Sequence, residues 1–118
     1  MREKVRVRNQ FGRERRRELE EKIKEIVDEV YKNAEVGMKF ANSGVEECSM
    51  WQLSIGLGDI AESLGYVLAI EKLYKELGIE IPYEIEKKIR EIKDMHWMAY
   101  RLRDEFHYRC VCTTRKQS

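Results

Sequence analysis

In the last third of this chain His96, Tyr100, Arg103 and His107 follow one another at steps of four, three and four, which puts all four on one face of a helix. In such a row an imidazole can move a proton while a guanidinium holds a phosphate, the two parts that phosphodiester cleavage needs. Metal chemistry is not supported by the spacing. At a rise of 1.5 Å per residue the two histidines stand about 16 Å apart along the axis, too far to share one ion. Asp104 and His107 offer two ligands three residues apart, but no ExxH or HxxE elsewhere completes a bundle-type site. Nor does the chain contain a glycine-rich phosphate loop, a nucleophile elbow or a Ser/His/Asp order. We expect neither a metal nor a cofactor.

The second chemical feature is electrostatic. The net charge is +1 over 118 residues, yet residues 1–17 carry +6, residues 18–94 carry −8 and residues 95–118 carry +3. Basic ends on an acidic body are a footprint of nucleic-acid contact, or of attraction to the acidic middle of a neighbouring subunit. The run Arg13, Glu14, Arg15, Arg16, Arg17 lies at the amino end of a helical pattern, where the helix dipole is already positive, so it calls for an anionic partner. Arginine suits a phosphate backbone. Arg6, Arg8, Arg13, Arg15, Arg16, Arg17, Arg101, Arg103 and Arg109 are therefore the expected phosphate contacts, and Trp51 and Trp97 are read as core or helix-interface residues.

The elements that must carry these groups are helices. Residues 1–11 alternate charge with valine and read as an extended or flexible basic arm. From Gly12, Leu19, Ile23, Ile26, Val27, Val30, Ala34, Met38 and Ala41 recur at steps of three and four and predict a helix over about 12–42. Its outer face pairs Glu18 with Lys22 and Glu20 with Lys24. Asn42, Ser43 and Gly44 read as a stop, with Asn42 or Ser43 capping the next helix and Glu46 completing a capping box. That second helix is expected over 45–77 and ends at Gly78. A short connection to Pro82 then turns the chain into an antiparallel third helix over 82–109, with Ile85, Ile89, Ile92, Met95, Ala99, Leu102 and Phe106 inward. Residues 110–118 read as a frayed basic tail.

The second helix organises the rest. Leu53 to Ala69 is interrupted by charge only at Asp59 and Glu62, and Ser54, Gly58, Ala61, Gly65 and Ala69 form a small-residue stripe along which another helix could approach closely. No run reaches the roughly 18 consecutive apolar residues of a membrane span, and the charged start lacks the apolar core of a signal peptide. With 38% charged residues, mostly Glu, Lys and Arg, the composition is biased as in heat-adapted proteins. The three cysteines, Cys48, Cys110 and Cys112, form no CxxC pair. They suggest a reducing interior, with Cys110 and Cys112 as tail thiols or as an exposed pair able to oxidise or to join chains.

Three resemblances bear on function. Arg101 and His107, with five residues between them, resemble the Arg-x(4 to 6)-His pattern of HEPN ribonucleases, and Leu77 to Pro82 resembles their inter-helix turn; this implies His107 as general acid or base and Arg101 or Arg103 on the phosphate. Asp59 and Glu62 are similar to part of the acidic motif of MazG-type nucleotide pyrophosphatases, but Gly56 stands where the first Glu belongs. The run Leu53 to Glu62, L-x-I-x-L-G-x-I-A-E, together with the rest of the segment to Tyr74, resembles a helix of the small four-helix-bundle proteins encoded in ribosomal-RNA intervening sequences. Those proteins are related to the accessory proteins of diversity-generating retroelements. Asn33, Ala34, Glu35 and Gly37, and the acidic helix from Tyr83 to Arg103, extend the likeness over roughly residues 30–103. It implies an oligomeric bundle that binds nucleic acid, and a protein partner besides, without catalysis.

The sequence thus predicts an all-α antiparallel bundle of three long helices, completed by self-association because 118 residues make a modest core. The expected function is that of a cytoplasmic, non-enzymatic scaffold or accessory protein binding RNA or DNA. The alternatives are a ribonuclease using Arg101 and His107, or a shell or filament subunit.

Overall fold

A computed structural model describes the backbone of residues 2–112 and the side chains of residues 12–112. It is an all-α bundle of three helices in up-down-up order: α1 (Arg2–Glu46), α2 (Met50–Leu77) and α3 (Tyr83–Phe106), followed by a π-helical turn (His107–Cys112). The molecule measures 83 × 19 × 17 Å.

The core follows the predicted stripes. Ile23, Val27, Val30 and Ala34 of α1 meet Val67 and Tyr74 of α2 and Ile85, Ile89 and Ile92 of α3, and a second cluster of Ala41, Val45, Leu53 and Phe106 fills the other end. Leu19 and Ile26, expected inside, are exposed: seven residues apart, they share one flank of α1 beside the line of Ile23, Val27, Val30 and Ala34. Buried Ser63 lies 2.9 Å from the Asp59 carbonyl and 3.2 Å from the Val30 carbonyl, so its hydroxyl donates within the α1–α2 contact.

Two boundaries differ from expectation, each for a physical reason. Residues 2–11 are not an extended arm but the first turns of α1, in keeping with the helix propensity of Arg, Glu, Lys and Gln. Gly44 does not stop α1. A Cβ there would lie 2.5 Å from the Leu53 nitrogen, so this glycine lets the helices touch, and α1 runs on to Glu46. The cap of α2 is consequently Ser49, whose hydroxyl accepts from the Gln52 nitrogen at 3.3 Å, rather than Asn42 or Ser43. Cys48 ends α1 in the left-handed region (φ 53°), with Ser49 N–H donating to the Gly44 carbonyl at 2.8 Å and Cys48 N–H to the Val45 carbonyl at 3.3 Å. This is the hydrogen-bond pattern in which glycine is the usual occupant. At the far end Gly78 closes α2 as expected, with φ 65°.

Ion pairs flank the apolar contacts that seat α3. Glu84 binds Lys24 at 2.7 Å, Lys88 binds Asp28 and lies 5.6 Å from the Tyr31 ring centre, and Lys93 binds Glu71 at 2.7 Å. Lys24 therefore pairs across helices with Glu84, and Glu20 pairs with Arg16 at 3.6 Å.

α2 is long and apolar enough to cross a membrane by length and composition, with a mean hydropathy of 1.4 in its most apolar stretch, of which 28% is buried.

Candidate nucleic-acid interface

The end of α2 and the start of α3 meet α1 between Arg16 and Lys24, where Leu19, Ile23, Leu73, Tyr74, Leu77 and Ile79 close one side and Pro82 to Ile85 the other. α1 upstream of that level projects beyond both neighbours. Arg13 and Arg15 are exposed there, and Arg16 and Arg17, also exposed, stand at the level where the neighbours begin, beside residues 73–79 and 82–85 respectively. At 100° per residue their Cβ atoms point round most of the helix circumference, which favours engagement of a flexible polyanion over a flat docking surface. Arg16 has Glu20 as a partner. The side chains of Arg6 and Arg8 lie outside the described residues.

The other expected contacts sit at the opposite end of the bundle, roughly 45 Å away along α1 at 1.5 Å per residue. The row His96, Tyr100, Arg103 is assembled as the spacing requires: the His96 and Tyr100 rings meet edge to face at 5.5 Å, and the Arg103 guanidinium lies 5.3 Å from the Tyr100 ring centre. Arg103 and His107 line a cleft of about 720 Å³ whose apolar wall is Met50, Leu53, Leu57, Phe106 and Val111. Arg101 is exposed and does not line it. Arg109 is exposed on the π-helical turn. The expected phosphate contacts thus form two clusters, one at each end, with the acidic middle between them.

The expected core placement of the tryptophans does not hold. Trp51 is 70% and Trp97 72% exposed, because each falls off the buried line of its helix. The small-residue stripe is likewise uncovered for most of its length among the described residues. Ser54, Gly58, Ala61, Gly65 and Ala69 are exposed, and a Cβ at Gly58 or Gly65 would meet nothing within 4 Å. Close approach within the chain uses Gly37, Gly44 and Gly56, where added Cβ atoms would fall 2.9, 2.5 and 2.4 Å from backbone atoms of the facing helix.

The cysteines differ most from expectation. Cys48 is bridged to Cys110, with Cα atoms 5.5 Å apart, and Cys112 is the free thiol. An up-down-up bundle brings the α1–α2 turn beside the end of α3, so this pairing was available from topology, though not from cysteine spacing.

Among the described residues no three His, Cys, Asp or Glu side chains gather as a metal site. Of the titrating groups, Glu84 is held below the usual carboxylate range by its hydrogen bond and charge contact with Lys24, which is itself raised by the same partner. Burial raises the Tyr74 phenol, whose hydroxyl has no hydrogen-bond partner.

Compared with protein-family models, curated proteins and solved structures, the chain matches none of them.

Proposed function

We propose that this protein is a cytoplasmic, non-enzymatic scaffold or accessory protein that binds nucleic acid through the arginines at the projecting start of α1 and associates with copies of itself. The observation that carries the reading is the placement of Arg13, Arg15, Arg16 and Arg17, exposed on a helix that outruns its neighbours. α1 begins at Arg2, so these four lie inside the helix rather than at its dipolar end. Their guanidinium groups, crowded within five residues, repel one another, and an anion relieves that repulsion as well as gaining ion pairs. RNA or DNA phosphate supplies that anion without demanding a fixed sequence. The resemblance of Leu53 to Tyr74 to the intervening-sequence bundle proteins points the same way.

The test is fluorescence anisotropy with mixed-sequence RNA and DNA over a salt series. Replacing Arg13, Arg15, Arg16 and Arg17 by Ala should weaken binding and reduce the slope of log affinity against log salt by up to about 4 for a duplex. Equal affinity and slope in the two proteins would overturn the reading. A ribonuclease remains the second reading because Arg103 and His107 share one cleft. It requires that the RNA shorten and that His107→Ala stop the shortening while binding persists.

A further inference from the structure

The bridge between Cys48 and Cys110 joins the α1–α2 turn to the π-helical turn His107–Cys112, across 62 residues of sequence. Apolar packing on that last turn is light. None of its six residues is buried, and only Cys110 and Val111 lean on the Ala41, Val45, Leu53 and Phe106 cluster. Ordering each residue costs backbone entropy. A π-helix is rare and occurs mostly as a single turn. Here a covalent bond ties it to the α1–α2 turn. One end of that bond, Cys48, is exposed at the tip of the turn.

We propose that the Cys48–Cys110 bridge is a thiol-reducible latch, and that its reduction releases His107–Cys112 while leaving the three-helix body folded. A small dithiol is the reactant. One of its thiolates attacks the sulfur of Cys48, forming a mixed disulfide and expelling the Cys110 thiolate, which takes up a proton. The second thiol, deprotonated, then attacks the reagent sulfur of the mixed disulfide and expels the Cys48 thiolate, which is protonated in turn. The protein gains two thiols and the reagent leaves as its own disulfide. Release removes His107, Tyr108 and Val111 from the cleft wall and uncovers Leu53, Leu57 and Phe106. Intracellular disulfides are usually transient or redox-sensing, so in a reducing compartment a latch of this kind reports oxidation. The inference stands apart from the nucleic-acid reading.

The experiment uses the full chain with Cys112→Ser, which prevents a third thiol from reshuffling the bridge, and follows backbone NMR shifts before and after dithiothreitol. Peptide mapping of the oxidised protein should recover Cys48 linked to Cys110. On reduction, the helical secondary shifts of residues 107–111 should fall by more than about half, while Val27, Ile60 and Ile89 keep their resonances. Cys48→Gly, which suits the left-handed backbone at that position, should give the released pattern with no reductant present. Unchanged shifts in residues 107–111 on reduction would overturn the proposal, because packing alone would then hold the turn. Loss of dispersion throughout the chain would also overturn it, because the bridge would then be a staple of the whole fold. Failure to recover the Cys48–Cys110 peptide would do the same.

Discussion

At the scale of single residues the glycines separate two jobs that look alike in sequence. Gly56 and Gly58 are two positions apart on one helix, yet a Cβ at Gly56 would press on the Gly37 carbonyl at 2.4 Å and the Ala41 nitrogen at 2.5 Å, whereas one at Gly58 would meet nothing. Both contacts at Gly56 are backbone, so α1 and α2 would have to part. Gly56→Ala should therefore lower stability by about 1–3 kcal/mol or more. In the dissociated chain, Gly58→Ala and Gly65→Ala should each raise it by about 1 kcal/mol, the helix-propensity difference. Thermal melts followed by circular dichroism measure both; a loss at Gly58 equal to that at Gly56 would remove the distinction. The 3.6-residue period marks both glycines as helical, but only the crossing of α1 and α2 says which one the partner backbone touches.

At the scale of elements, the three helices were legible because their apolar stripes keep one period for many turns, and because Gly78 and Pro82 punctuate the second connection. The first connection was misread, since Gly44 has the residue type of a stop and the position of a contact. The pairing of Lys24 was also hidden, because Glu20 lies four residues away in sequence while Glu84 arrives from another helix at 2.7 Å. That pair gives α3 a pH dependence of known sign. Glu84 has a depressed folded pKa, so its contribution is present above the ordinary carboxylate pKa and is lost as pH falls through the lowered one. Lys24 has a raised pKa, so the same contact persists below the ordinary lysine value and fades as pH rises through the raised one. The melting temperatures of the native protein and Glu84→Gln should differ slightly at neutral pH and converge below about pH 4. A gap that persists or widens in acid would show that the ion pair is not its source.

At the scale of the molecule the question is what covers α2. The sequence announced an apolar helix but not how little of it three helices can bury. α3 covers one side of the α1–α2 pair, while Trp51, Tyr66, Leu68 and Leu73 stay exposed along with the small-residue stripe. An apolar face of this extent on a basic-ended, acidic-bodied molecule favours a second copy, whose projecting arginines can reach the acidic middle of the first. The stripe makes this testable without harming the monomer, because Gly58 and Gly65 face open space and arginine is a better helix former than glycine. Gly58→Arg with Gly65→Arg should leave the circular-dichroism spectrum unchanged and reduce the mass in sedimentation velocity to that of one chain, from a multiple of it in the native protein. If the native protein already sediments as one chain, or if the double variant keeps the native mass, the face serves something other than self-association and the scaffold reading loses its assembled form. Measured with RNA present, the same pair of proteins separates the two halves of the proposed function. Arginines at the start of α1 should bind phosphate in monomer and assembly alike, and only the number of contacts per particle, hence the salt slope, should change with association.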